Sequence, residues 1–502
     1  MAFFVFLLFV MAKWFKALLT LVFGAGVFLL WILAYPQALG FREQNQLFLF
    51  TWDFLLERLS VPGGLSEWLS DFVIQFNHIA WLGAIITAAI SVGIQILTWR
   101  IACRLGKYVK DTWYPLSFIP SVAILCLFGD IYVTMGYVIA VLLALALTDI
   151  YLSFRNTAFA LAAVPVAFWL LGPAAWIFVI IAVLSEKKDI LKRAALLIIC
   201  SLTILLLFHY VLAVQYPWKQ LLLGINYYQI PLAQPFGLYA AMAGTVIIPL
   251  IIAVLPEIRL GRIVCIIVQI ALIIVSGLYL FRKCYDRDVY EILAYDQLIR
   301  NDKWEDVVFR AEEYQPKSEI GCVSVNLALF MTGRMAEMQN FYQTGTQGLL
   351  MPRVRDFISN ISTGEAFWRL GFVNEALRYA FDTQESIPDL KKSPRAMMRM
   401  IDCRIVNGQY KVASKYIDIL KHSLFYREWA EGREKFLFNE RLVEADPVYH
   451  YLRTVRSHED YLFRYPQMDR MLAKLYAQNN GNVMAGQYFM AWKQLKQMEE
   501  KR

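Results

Sequence analysis

Up to residue 284 the apolar residues run almost without interruption, and polar positions cluster in short breaks between the runs. A membrane-spanning helix needs roughly 20 apolar residues, fewer where other protein shelters it. The runs that meet this are 15–35, 79–98, 114–128, 131–153, 157–171, 173–185, 194–214, 237–255 and 263–281. Residues 116–152 as one helix would be about 55 Å long at 1.5 Å per residue, so a break is expected at Gly129-Asp130. Basic residues flank both ends of 157–185, which predicts two short helices turning at Gly172-Pro173. The pattern predicts an all-α chain: a polytopic domain of about nine transmembrane helices over 1–284, then a soluble helical domain over 285–502.

In that second half the period changes to short amphipathic segments joined by similar turns. "NDKWEDV" at 301, "TGRMAEM" at 332, "LGFVNEA" at 370, "NGQYKVA" at 407 and "NNGNVMA" at 479 follow one another at intervals of about 31, 38, 37 and twice 36 residues. A Gly or Asn at each turn suits the left-handed residue that ends a helix. Helix pairs recurring every ~34 residues follow tetratricopeptide logic, in which each pair buries its apolar face on the next. Domains of this kind bind or position partners, and nothing in 285–502 points to catalysis.

The first long loop, 36–78, has its own pattern. As a helix, 43–59 places Gln46, Asp53 and Glu57 within about 40° of one another, with Arg42 and Glu43 flanking them. "PGG" at 62–64 forms a turn. A second amphipathic helix then carries Leu65, Trp68, Leu69, Phe72, Val73 and Phe76 on one face. The reading is two interfacial helices, apolar faces in the membrane, with Asp53, Glu57, Glu67 and Asp71 in water. Glu43 differs, because it stands eight residues after Tyr35 at the bilayer edge. There it is either a structural carboxylate or a base held among partners.

Composition adds orientation. The chain has 502 residues, 58% of them hydrophobic, and a net charge of +8. Lys13, Lys16, Arg100, Arg104, Lys107, Lys110, Arg155, the "EKKDILKR" stretch, Arg259 and Arg262 fall on one side, which the positive-inside rule makes cytoplasmic. Arg282 and Lys283 fall on the other side. The N-terminus is then inside and 285–502 outside. So modest a charge does not suggest nucleic-acid binding. Seven scattered cysteines and five histidines indicate neither a zinc site nor a disulfide framework.

Asp130 sits in a very short outward turn, where it is an N-cap for a helix beginning at Ile131, a functional carboxylate, or both. In the outward loop 215–236, Lys219 is placed to meet a lipid phosphate, and Tyr227 and Tyr228 belong by default to an aromatic belt. With Arg42, these are the candidate substrate-binding residues.

Glu43 in the first outward loop, Asp130 after the third helix and repeats after the ninth resemble the plan of the GT-C class of membrane glycosyltransferases, in particular the transmembrane and tetratricopeptide-containing O-mannosyltransferases. The paired acidic motif common in that first loop is replaced here by Glu43-Gln44. The resemblance implies transfer of a sugar from a polyprenyl-phosphate-linked donor to an acceptor at the outer face. Glu43 would be the base, Asp130 would orient the donor or share a divalent metal ion, and Lys219 or Arg42 would stabilise the leaving phosphate. "FREQNQLFLF" and "SVPGGLSEWLSDFVIQF" also resemble a polytopic family of Bacteroidota, which implies a bacterial inner membrane with the repeats in the periplasm. The competing expectation is a non-catalytic anchor whose repeats hold a protein or glycan partner of the envelope. Transport ranks last, since Gln95, Asp149 and Gln269 are the main polar residues within the spans.

Overall fold

The structure, a computed structural model, describes residues 2–500 except 186–189, 224–236, 258–260, 353, 355, 389–390 and 458–464. It is 80% helical, with no strand among the described residues. The chain forms two compact units, Met1–Leu39 with Thr51–Asp286, and Gly40–Phe50 with Arg287–Arg502.

The first unit runs through α1 (Ala2–Leu29), the helix α2 (Pro36–Gln44) at its boundary, α3 (Trp52–Leu59), α4 (Gly64–Ile74), α5 (Ala80–Leu105), α6 (Ile119–Leu127), α7 (Met135–Phe154), α8 (Thr157–Leu171), α9 (Ala175–Ser185), α10 (Ile190–Leu207), α11 (Trp218–Leu223), α12 (Leu238–Val254) and α13 (Arg262–Cys284). Among the described residues, six stretches are long and apolar enough to cross a membrane: Trp14–Ala34, Ala80–Leu105, Met135–Phe154, Thr157–Ser185, Leu191–Leu212 and Arg262–Cys284. This is a membrane protein. Nine stretches were expected; the difference lies in 157–185, one apolar stretch broken at Gly172 (φ 61°), and in Asp111–Leu127 and Leu238–Val254, which are shorter.

Several polar side chains inside this unit are tied to the backbone or to one another, as an apolar surrounding favours. The hydroxyls of Thr87, Ser91 and Thr98 donate to carbonyls four residues earlier. Gln95 accepts from Thr20 at 3.3 Å and donates to Ser117 at 2.8 Å, joining α1, α5 and the 3-10 turn before α6. Gln269 donates to the Thr112 carbonyl at 3.0 Å. Asp149 holds Arg100 at 2.8 Å and Arg104 at 2.6 Å, and Arg155 donates to the Arg104 carbonyl. The ends of α5 and α7 therefore share one basic corner. Gln95, Asp149 and Gln269, the main polar residues of the predicted spans, thus all have structural partners.

The first loop departs from expectation. The helix predicted over 43–59 is absent: α2 ends at Gln44, residues 46–50 form no helix, and α3 starts after Thr51, whose hydroxyl accepts the Phe54 amide. Leu47 donates its amide to the Lys392 carbonyl at 2.9 Å and Phe50 to that of His422 at 2.8 Å. These long-range bonds outweigh helical periodicity. Arg42, Glu43 and Gln46 therefore share no stripe with Asp53 and Glu57, which are exposed on α3.

The second unit continues with α14 (Arg287–Arg300), α15 (Trp304–Glu313), α16 (Glu319–Met331), α17 (Ser359–Leu370), α18 (Val373–Ser386), α19 (Pro394–Val406), α20 (Tyr410–Leu420), α21 (Arg427–Glu434), α22 (Glu440–Ala445), α23 (Pro447–Val455), α24 (Met468–Gln478) and α25 (Val483–Glu500). Each of the five sequence turns separates two helical segments; the one after "TGR" is the 3-10 stretch Met335–Asn340. Gly371 (φ 91°) takes the left-handed conformation, with its amide bonded back to Phe367 and Trp368. One core runs from Leu47 and Tyr295 to Trp492 and Leu495, so the 40–50 segment shares it.

Candidate functional site

In the first unit, α4 is inverted relative to a surface helix. Ser66, Glu67, Ser70 and Asp71 are buried, Glu67 at 6% exposure and Asp71 at 0%. Leu65, Trp68, Leu69, Phe72 and Val73 are only half-buried. The reading of Glu67 and Asp71 as water-facing is corrected: α4 packs against α7 and α8, and its polar stripe is the packed one. Arg58 on α3 meets Asp71 at 3.2 Å.

Glu67 lies against the first turn of α7, so close to Gly136 that a Cβ there would come within 2.2 Å of its Oε1. A carboxylate at that end faces the positive pole of the helix. Glu67 also lines a pocket with Pro62 and Gly63 of the first loop, Gly172 and Pro173 of the α8–α9 turn, and Tyr216, Gln220 and Leu221 around α11. Segments that the charge pattern assigned to one side of a membrane thus gather round one carboxylate. The pocket opens about 20 Å³, room for a water molecule.

The other site residues fall as follows. Asp130 stands in the turn between α6 and α7, and its Oδ1 accepts the Tyr132 amide at 2.9 Å. It is not the N-cap of a helix from Ile131, because α7 begins at Met135; Asp130 instead closes its own turn. Lys219 is exposed on α11. Tyr227 and Tyr228 lie outside the described residues. Among the described residues no group of three or more His, Cys, Asp or Glu is arranged to hold a metal ion.

Glu43 and Arg42 belong to the second unit, where both are enclosed, Glu43 at 2% exposure. Tyr426 donates its hydroxyl to Glu43 Oε1 at 2.5 Å. Burial, then the Glu43 charge, pushes the Tyr426 hydroxyl well above the usual tyrosine range, so it remains a donor. Arg395 holds Asp296 at 2.7 Å and donates to Gln44 at 3.3 Å, and Lys391 donates to Gln46 at 3.4 Å. Arg300 and Arg395 act on the same cluster electrostatically. These contacts fasten residues 40–50 into the unit.

Beside this cluster, α17, α18, α19 and the end of α14 enclose a cleft of about 240 Å³. Glu365 in its wall pairs with Arg399 and, at 3.0 Å, with Arg369. Burial by itself raises the Glu365 carboxyl, but Arg399, Arg369 and Arg395 outweigh it and hold the group below the ordinary glutamate range. Asp402 goes the other way: burial holds it above the aspartate range although Arg433 sits at 3.1 Å. No periodic or motif signal marks this cleft, because its residues come from four helices spread over about a hundred positions.

No curated protein and no solved structure matches the chain. A family model does, over residues 10–498. The chain belongs to that family, a family of unknown function (DUF6057).

Proposed function

We propose that the protein is a GT-C-type membrane glycosyltransferase, in which the first unit moves a sugar from a polyprenyl-phosphate-linked donor and the second, a tetratricopeptide-like repeat, holds the acceptor. In this reading nine crossings of a bacterial inner membrane leave the N-terminus inside and the repeats in the periplasm. The observation that carries it is the inverted α4. A helix serving only to lie on a membrane keeps its carboxylates in water, whereas burying charges in an apolar unit is costly and marks a working site by default.

Glu67 then takes the role that sequence position suggested for Glu43. It accepts the proton of the acceptor hydroxyl as that oxygen bonds the sugar C1. The bond from C1 to the donor phosphate breaks, and the polyprenyl phosphate leaves with its electron pair. Asp130 orients the donor, and Lys219 offsets charge on the leaving phosphate. Substrate access requires the walls of the Glu67 pocket to part.

The test is transfer in vesicles from a panel of polyprenyl-phosphate monosaccharides. Glu67→Gln and Asp130→Asn are expected to lower the rate by about a hundredfold or more. Asp53→Asn, on the exposed face of α3, is expected to leave it unchanged. Full transfer by a folded Glu67→Gln protein would sink the assignment. A second reading, a non-catalytic anchor for an envelope assembly, is favoured by the use of Glu43 as a fastening rather than a free base. It expects no transfer by the wild-type protein and a partner captured by the intact second unit.

A further inference from the structure

The cleft of the second unit holds one guanidinium that makes no direct ion pair. Of the four arginines in its wall, three are matched: Arg369 with Glu365 and with Asp302 at 3.2 Å, Arg399 with Glu365, and Arg395 with Asp296. Arg300, on the last turn of α14, has no carboxylate within ion-pair distance among the described residues, and it keeps exposed surface. Burial and then the like charge of Arg395 act against its charge, while Asp296 and Glu43 favour it from beyond ion-pair distance.

A second, independent observation lies in the same wall. Asn360, at the start of α17, is 2% exposed, and its Nδ2 has no hydrogen-bond acceptor. A buried amide donor left unmatched costs the full loss of its hydration. An unmatched neutral donor and a guanidinium without a direct ion pair therefore line one small cavity, and both can take an acceptor oxygen.

We propose that this cleft binds an oxyanion group, a phosphate or carboxylate on a small, sugar-sized body, with Arg300 supplying the charge and Asn360 the neutral donor. The guanidinium fork suits either group. At about 240 Å³ the cavity lies just below the ~300 Å³ at which pockets for larger organic ligands begin, which sets the body's size. The site rests on the second unit alone and stands or falls apart from the glycosyltransferase reading.

The test uses the full chain in detergent at fixed ionic strength, with binding followed by calorimetry and thermal shift. Inorganic phosphate, glucose 1-phosphate, glucuronate and neutral glucose are the probes. At least one anionic sugar is expected to bind and raise the Tm, and glucose is expected to do neither. A response to the two phosphates alone assigns a phosphate site, and one to glucuronate alone a carboxylate site. Arg300→Met should weaken binding roughly tenfold or more, with Arg300→Lys in between. Asn360→Asp, which sets a carboxylate against the ligand, should abolish it. Because Arg300 also acts on Glu43 and Asp296, Arg300→Met is expected to lower the ligand-free Tm slightly, and the readout is the ligand-induced rise, which it should lose. The proposal is overturned if no anion acts beyond glucose, or if Arg300→Met responds as wild type does.

Discussion

Two glutamates of the first loop, Glu43 and Glu67, are both buried, although position suggested water for Glu67. Glu43 stands close to the first span, yet its carboxylate receives the Tyr426 hydroxyl inside the second unit. Tyr426→Phe should therefore lower stability by about 1–3 kcal/mol, the cost of leaving a buried charged acceptor short of a donor. Glu43→Gln, which still accepts that bond, should cost less; chemical denaturation of the pair checks the order. Glu365 supplies a pH dependence. Its folded pKa lies below the unfolded value near 4.5, so its stabilisation is fully present above that pH and fades as pH falls through the folded value. The Tm gap between wild type and Glu365→Gln should accordingly narrow below pH 4.5.

At the scale of elements, α4 was legible as a helix but not in its orientation. A period of 3.6 reports that one face is apolar and the other polar; it does not say which face meets protein. In water the apolar face packs inward, but with lipid outside, the polar face can be the one that finds partners. The close approach of Glu67 to α7 gives a direct check. Gly136→Ala places a methyl where the carboxylate lies and should displace Glu67, lowering transfer and thermal stability together. Gly244→Ala, with nothing within 4 Å of the added carbon on α12, should be neutral or stabilising by up to about 1 kcal/mol. Equal effects of the two changes would contradict the placement of Glu67. The turn glycine Gly371 was visible from its place after a helix, and its left-handed backbone bears that reading out.

At the scale of the molecule, the 40–50 segment is separated in sequence from the unit it completes by more than two hundred residues of membrane protein. A fragment of 287–502 lacks Leu47 from its core, the Glu43 carboxylate under Tyr426, and the backbone donors to Lys392 and His422. That fragment should be less stable than the unit in the whole chain, and a synthetic 40–50 peptide should raise its Tm; no response to the peptide would contradict the assignment. Partner capture with the fragment alone would test an incomplete surface. The sequence by itself determined that the chain is helical, that its first part is apolar enough for a membrane, and that helix pairs follow, because length, hydropathy and turn residues are local properties. Only the tertiary structure decided that Glu43 lies enclosed against the Tyr426 hydroxyl, that α4 turns its acids inward, and that Arg300 and Asn360 share a cleft. Each of those depends on which distant backbone or charge lies opposite, and no local period carries that information.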